Sequence, residues 1–223
     1  GPCAYTAMMP LEHDMIGLSM TTGGVGMVPT FGAKPMIGIN PLGFAAPAAS
    51  EPPFVFDAAM AAVAGNKVEL ARRLGAELSP GWVAGPDGTP IMESGPVPDE
   101  FSFLPLGATR ELGSHKGYSL ALMIDVLTGV LSGNGPGFRN NMVFSHYFCA
   151  IKIEAFTDPD KFKQDMDDYM RALVETPTAP DHERVVYAGL PEHETELDRR
   201  ANGIPLHPEV ADVVEMAKRG VGD

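Results

Sequence analysis

Cysteine is nearly missing. Cys3 and Cys149 are the only two in 223 residues, they lie far apart, and no Cys-x-x-Cys or Cys/His ligand spacing surrounds them. That excludes a disulfide framework and a zinc site and fits a reducing, cytoplasmic setting. Positive charge is scarce too: 16 Lys and Arg stand against 29 Asp and Glu, a formal net charge of −13. Such a surface repels phosphate backbones and anionic lipid, so neither a nucleic-acid nor a membrane partner is predicted. No apolar run is long enough to span a bilayer, and Gly1–Tyr5 lacks a basic stretch leading into an apolar one.

Familiar chemical signatures are absent as well. There is no Gly-x-Gly-x-x-Gly, no Gly-x-x-x-x-Gly-Lys-Ser/Thr, no Gly-x-Ser-x-Gly and no His-Glu-x-x-His. A conventional dinucleotide fingerprint, a P-loop, a hydrolase elbow and a zincin helix are thereby set aside. The glycine run Gly23-Gly24-Val25-Gly26 opens toward Pro29 and Pro35 instead of a helix.

What is present is a folded, turn-rich chain: 44% of residues are hydrophobic, with 25 Gly and 21 Pro. A helix is predicted over Tyr5–Met15, shortened or kinked by Pro10. Strands are predicted at Met15–Met20, Met36–Ile39, Gly43–Ala46, Phe54–Phe56, Phe148–Ile153 and Arg184–Tyr187. Asp57 is read as closing a strand and capping an Ala-rich helix, Ala58–Leu74. Residues 77–110 read as a long loop with a short strand near Trp82. Helices are predicted at Lys161–Val174, whose Asp165, Asp167 and Asp168 read as a solvated face, at Pro191–Ala201 and at Pro208–Lys218. Strands and helices mix without a repeat, so the class is α/β.

The segment His115–Leu131 is apolar on nearly every side and is predicted to run through the centre of the molecule, capped by Ser114 and stopped by Gly133. His115 and Lys116 then fall on its first turn, where free N–H groups and the helix dipole favour an anion. This is the best candidate site, a socket for phosphate or carboxylate. The competing reading pairs Lys116 with a carboxylate such as Glu111. His146, beside Tyr147 and Phe148, reads as a packed or surface histidine, and no nucleophile and base can be paired from spacing.

Several segments together resemble one family. They are Leu11–Met20 (Leu-Glu-His-Asp-Met-Ile-Gly-Leu-Ser-Met), Ile37–Pro47 (Ile-Gly-Ile-Asn-Pro-Leu-Gly-Phe-Ala-Ala-Pro), Asp57 with the stretch to Lys67, and Ser114–Ala121 (Ser-His-Lys-Gly-Tyr-Ser-Leu-Ala). Val130–Gly133, Val185–Gly189 and Gly203–Leu206 follow in order. The family is that of the malate/L-lactate dehydrogenases, NAD(P)-dependent oxidoreductases unrelated to the Rossmann lactate and malate enzymes.

The resemblance implies a mixed-sheet NAD(P)-binding fold of the L-sulfolactate dehydrogenase type, a homodimer, NAD or NADP as cofactor, and a small 2-hydroxy or 2-oxo acid as substrate. It implies a cofactor held by Thr22, Gly23, Asp57, Ala58, Ala59, His115, Lys116 and Gly189, within one domain spanning residues 1–223 with helices at its C-terminal end. The family's segment of about a hundred residues in front, with a Ser-His pair, a carboxylate-gripping Arg and a further His, has no counterpart here. The chain is therefore expected to be a fragment that is inactive alone, with no catalytic residue assigned and no metal site; the alternative is a non-catalytic cofactor-binding or dimerisation module. Two departures stand out. Asp-x-Ala-Thr-Ser becomes Asp57-Ala58-Ala59-Met60-Ala61, and Pro-Gly-Glu-Pro-Glu becomes Ala188-Gly189-Leu190-Pro191-Glu192.

Overall fold

Pro10 divides the first helical segment. A computed structural model, which describes residues 2–139, 143–218 and 220, has α1 at Cys3–Met8 and then a 3-10 turn, Met9–His13, with the proline at its start. A proline there sacrifices no interior hydrogen bond. Four strands follow the apolar alternation: β1 (Met15–Thr22), β2 (Leu42–Ala46), β3 (Phe54–Ala58) and β6 (Ser145–Lys152), with β4 (Val83–Ala84) and β5 (Ser102–Phe103) forming a separate pair in the long loop.

The main sheet has the order β3-β2-β1-β6 and every pairing in it is antiparallel. Among the described residues the parallel contribution is the isolated bridge Met27–Phe103, which lies outside this sheet and ties the loop after β1 to β5. Met36–Ile39 contributes only the bridge Ile37–Met27 instead of a strand, and residues 184–187 form no strand.

The two faces of the sheet are covered differently. Gly17 and Ser19 of β1 face α1 together with Gly43 of β2. A Cβ on Gly17 would lie 1.9 Å from the Ala7 carbonyl oxygen, and one on Gly43 would lie 2.6 Å from the Cys3 carbonyl carbon. Glycine here lets a helix backbone rest directly on the strands. On the other face Met20, with Leu18, Leu42, Phe56 and Ala58 around it, packs against Ala121 and Ile124 of α3 (Ser114–Asp125), and Met27, Ile37, Met60 and Ala61 complete the cluster.

The helix α3 departs from expectation in two ways. It passes into a π-turn at Val126–Val130, and its outer side is open: Leu120, Met123, Val126 and Val130 are each between 39% and 54% exposed. The reading of a helix buried on all sides therefore fails for this chain. Its apolar periodicity serves the sheet on one side, and nothing among the described residues covers the other. Ser114 is also not the cap. Gly113 takes that position at φ 98°, and Ser114 is buried with its hydroxyl 3.1 Å from that of Thr30.

The Ala58–Leu74 helix is corrected as well. β3 extends through Ala58, which pairs with Leu42, Ala61 bridges to Pro105, and α2 begins only at Gly65 and ends at Leu74. Three further helices follow: α4 (Pro159–Val174), α5 (Leu190–Asn202) and α6 (Pro208–Lys218). Asp158 caps α4, accepting from the Lys161 N–H at 2.8 Å.

Asp167 on α4 overturns the solvated-face reading. Its side chain is buried, accepts from the backbone N–H groups of Ala49, Ser50 and Glu51, and takes a further bond from Arg171. Burial alone would raise its pKa. The three N–H donors and the Arg171 charge outweigh that and hold it below the ordinary aspartate value.

Candidate functional site

The socket at the start of α3 is assembled by a glycine loop. Gly107 sits at φ 92°, and a Cβ there would fall 2.8 Å from the Ser114 nitrogen, so the loop lies directly beneath the helix end. No side chain caps the helix. Arg110 reaches back from the preceding turn, its Nη1 donating to His115 Nδ1 at 2.9 Å.

An Nδ1 that accepts belongs to a neutral imidazole with its proton on Nε2. Desolvation, then the positive charges of Arg110 and Lys116, lower the His115 pKa and keep it so. Glu111 does not pair with Lys116. Its carboxylate turns to its own backbone N–H and to Thr109, which hold its pKa down. Lys116 is exposed. Arg110, Thr109 and Ser114 line a cavity of about 230 Å³ beside this helix end, with Thr30 and Gly32 opposite. Two guanidinium or ammonium groups around an uncapped helix N-terminus form an anion-binding arrangement.

Ala58 and Ala59 are linked to this socket through the residue that follows them. The next residue, Met60, accepts the Leu106 N–H at 2.9 Å, and a Cβ on Gly117 would meet the Leu106 carbonyl oxygen at 2.4 Å. Leu106 thus bridges the end of β3 to the first turn of α3. Met60 and Ala61, where the resemblance led one to expect hydroxyls, are buried in the core, so these departures alter packing.

Asp57 and Gly189 lie elsewhere, on the α1 face of the sheet. Together with Val55, Met8, His193 and Glu196 they line a cavity of about 350 Å³. Asp57 caps a helix, as expected of it, but a different one: its Oδ2 accepts the Ala4 N–H of α1 at 2.8 Å. Gly189, at φ 98°, stands where a Cβ would be 2.9 Å from the Val55 nitrogen, and Val55 N–H donates to the Ala188 carbonyl at 3.0 Å.

Thr22 and Gly23 are separate again. The Thr22 hydroxyl lies between Asn40 Oδ1 at 2.9 Å and Asp125 Oδ1 at 2.8 Å, fully enclosed. Since Asp125 ends α3, Thr22 sits about 15 Å along the helix from His115. Gly23 is covered: a Cβ there would fall 2.3 Å from the Phe144 ring. The structure thus brings His115 and Lys116 together at the start of α3, Asp57 and Gly189 together at a second place, and Thr22 and Gly23 at a third, while Ala58 and Ala59, at the end of β3 and just beyond it, reach the first of these only through Met60 and Leu106. Sequence reading placed no role on Arg110, whose signal lay in its position five residues before His115.

A mononucleotide or dinucleotide presents phosphates and ribose hydroxyls. The first place offers it cations at the positive end of a helix, whose Ser114 and Lys116 N–H groups already donate to the Thr109 and Gly113 carbonyls, and the second a carboxylate with one oxygen still unengaged, so the residues present fit such a group. Among the described residues there is no cluster of His, Cys, Asp and Glu able to hold a metal ion, and no helix long and apolar enough to cross a membrane.

A family model described as malate/L-lactate dehydrogenase matches residues 1–215. A malate dehydrogenase of Pyrococcus abyssi is 36% identical over 230 residues, covering 100% of this chain and 63% of its own length. Among solved structures, a malate dehydrogenase from Entamoeba histolytica aligns at a TM-score of 0.90 with 27% identity, covering 100% of this chain and 66% of that one. A sulfolactate dehydrogenase from Methanocaldococcus jannaschii aligns at 0.79 with 25% identity, covering 95% and 61%. The α/β fold is the one these structures share. The chain spans 63% of the length of the curated malate dehydrogenases it matches.

Proposed function

Since the chain belongs to the malate/L-lactate dehydrogenase family, we propose that it is the NAD(P)-holding part of an oxidoreductase acting on 2-hydroxy and 2-oxo acids. The observation that carries this reading is the grouping of Arg110, His115 and Lys116 at the uncapped start of α3 inside the matched span. Bound NAD(P) supplies the hydride acceptor or donor.

The chain's own residues hold it. Lys116 and Arg110 set positive charge against the phosphates, and His115, kept neutral, orients the Arg110 guanidinium. Asp57 turns its unengaged oxygen toward a ribose hydroxyl in the cavity it shares with Gly189. Thr22 acts from beneath, holding the end of α3 through Asp125.

Fluorescence titration of the 223-residue chain with NADH and NADPH tests this. Lys116→Ala is expected to weaken binding about tenfold or more and to flatten its salt dependence; unchanged affinity overturns the reading. Substrate class is tested by adding the part of a malate dehydrogenase relative that this chain does not span and following NADH oxidation with oxaloacetate and pyruvate.

A second reading, a non-catalytic cofactor-binding or dimerisation module, draws on the apolar outer side of α3. Sedimentation of the chain as a homodimer, with neither coenzyme bound, favours it.

A further inference from the structure

Two carboxylates are buried among the described residues, Asp125 at 5% exposure and Asp167 at 3%. Asp167 is compensated by three backbone N–H groups and the Arg171 guanidinium. Asp125 is not. Its Oδ2 accepts the Gly137 N–H at 3.2 Å and its Oδ1 lies 2.8 Å from the Thr22 hydroxyl, but among the described residues no lysine or arginine forms an ion pair with it.

The hydroxyl proton is contested as well. Asn40 Oδ1 stands 2.9 Å from the same Thr22 oxygen, in an amide whose orientation is fixed by its Nδ2 donating to the Ala121 carbonyl at 2.8 Å. One hydroxyl carries one proton, so it cannot serve both acceptors. A buried charge left short of a donor and without a counter-ion is costly until a cation joins it.

A cavity of about 310 Å³ opens beside this carboxylate, lined by Asp125 with Met36, Tyr118, Leu122, Pro136 and Phe138. That volume falls at the lower end of the range for small-ligand pockets. Asp125 is the one charged group in its lining. Arg139 lies over the Phe138 ring, 5.9 Å from its centroid, so this ring already accepts a cation on its face. The π-turn Val126–Val130 starts at the residue after Asp125, and such interruptions of a helix recur at functional sites.

We propose that this cavity binds a small organic cation, a primary ammonium on an aryl or alkyl body, its N–H groups on Asp125 and its apolar part against Tyr118, Phe138 and Leu122. The carboxylate supplies the charge, the rings and aliphatic walls receive the body, and the chain's net charge of −13 draws cations toward it. Lys116 stands at the opposite end of α3, so the inference does not depend on the coenzyme reading.

Calorimetric titration of the 223-residue chain with phenethylamine, and with phenethyl alcohol as its uncharged counterpart, tests this. The amine is expected to bind at least about tenfold more tightly than the alcohol. Asp125→Asn keeps the shape and an oxygen for Thr22, and should erase that difference by weakening the amine alone. Should that variant fail to fold by circular dichroism, Leu122→Lys serves instead. Leu122 is 39% exposed on the cavity wall, and a lysine there sets its own ammonium on Asp125 and should block the amine with the fold retained. Equal affinity for amine and alcohol, binding of neither, or undiminished amine binding in the folded variant overturns the proposal.

Discussion

The Asp57 carboxylate, on a strand, accepts the Ala4 N–H in the first turn of α1, at 2.8 Å and across 53 residues of sequence. It satisfies an amide that the short helix leaves without a partner. Asp57→Ala should cost about 1 kcal/mol in urea denaturation, the usual worth of a helix cap, and Asp57→Asn should recover most of it. If coenzyme also depends on Asp57, its affinity will fall more in Asp57→Asn than stability does.

The contact of α1 with the sheet leaves no room for a side chain at Gly17. Gly17→Ala places a methyl 1.9 Å from the Ala7 carbonyl oxygen, and backbone cannot yield as a side-chain tip can. We expect a loss of at least about 2 kcal/mol by denaturation. Gly95→Ala, which meets nothing within 4 Å, is the control and should change stability by no more than about 0.5 kcal/mol.

Asp167 sets an acid limit. Its pKa is lowered in the folded chain, so its contribution is complete above the unfolded value of about 3.9. The contribution is lost as the pH falls through the depressed folded value. Asp167→Asn should flatten this part of the acid profile in pH-dependent unfolding. Asp167→Ala, which takes the acceptor from three part-buried N–H bonds and from Arg171, should cost about 1–3 kcal/mol near neutrality.

Arg110 controls the state of His115. Desolvation, Arg110 and Lys116 lower the imidazole pKa in that order, so Arg110→Ala removes the second cause and should move it upward, read by proton NMR between pH 5 and 8. The shift should stop short of the ordinary histidine value, because burial and Lys116 remain. A fall in the pKa would contradict the geometry.

Much of this fold is legible in the chain because the strands β1, β2, β3 and β6 announce themselves by short apolar runs bounded by turns. Asp57 was misread because the alanines after it favour a helix, while the pairing of Ala58 with Leu42 and the bridge of Ala61 to Pro105 are tertiary and outweigh a weak local preference. Asp167 carried no local sign, since the N–H groups it serves lie more than a hundred residues earlier. Of the site, Lys116 and His115 could be read from their place before an apolar helix. Arg110 and the Thr22–Asp125 contact could not, as each depends on a turn or on tertiary packing.

The sheet's central strand has a temporal cost. β1 meets β2 soon after both leave the ribosome, but its other edge waits for β6, whose residues Ser145–Lys152 are synthesised more than a hundred residues later. During that interval a long row of backbone donors and acceptors lies open to any passing strand. Chaperone occupancy on nascent chains should therefore persist until β6 emerges, and chains stalled before Ser145 should aggregate where longer ones stay in solution.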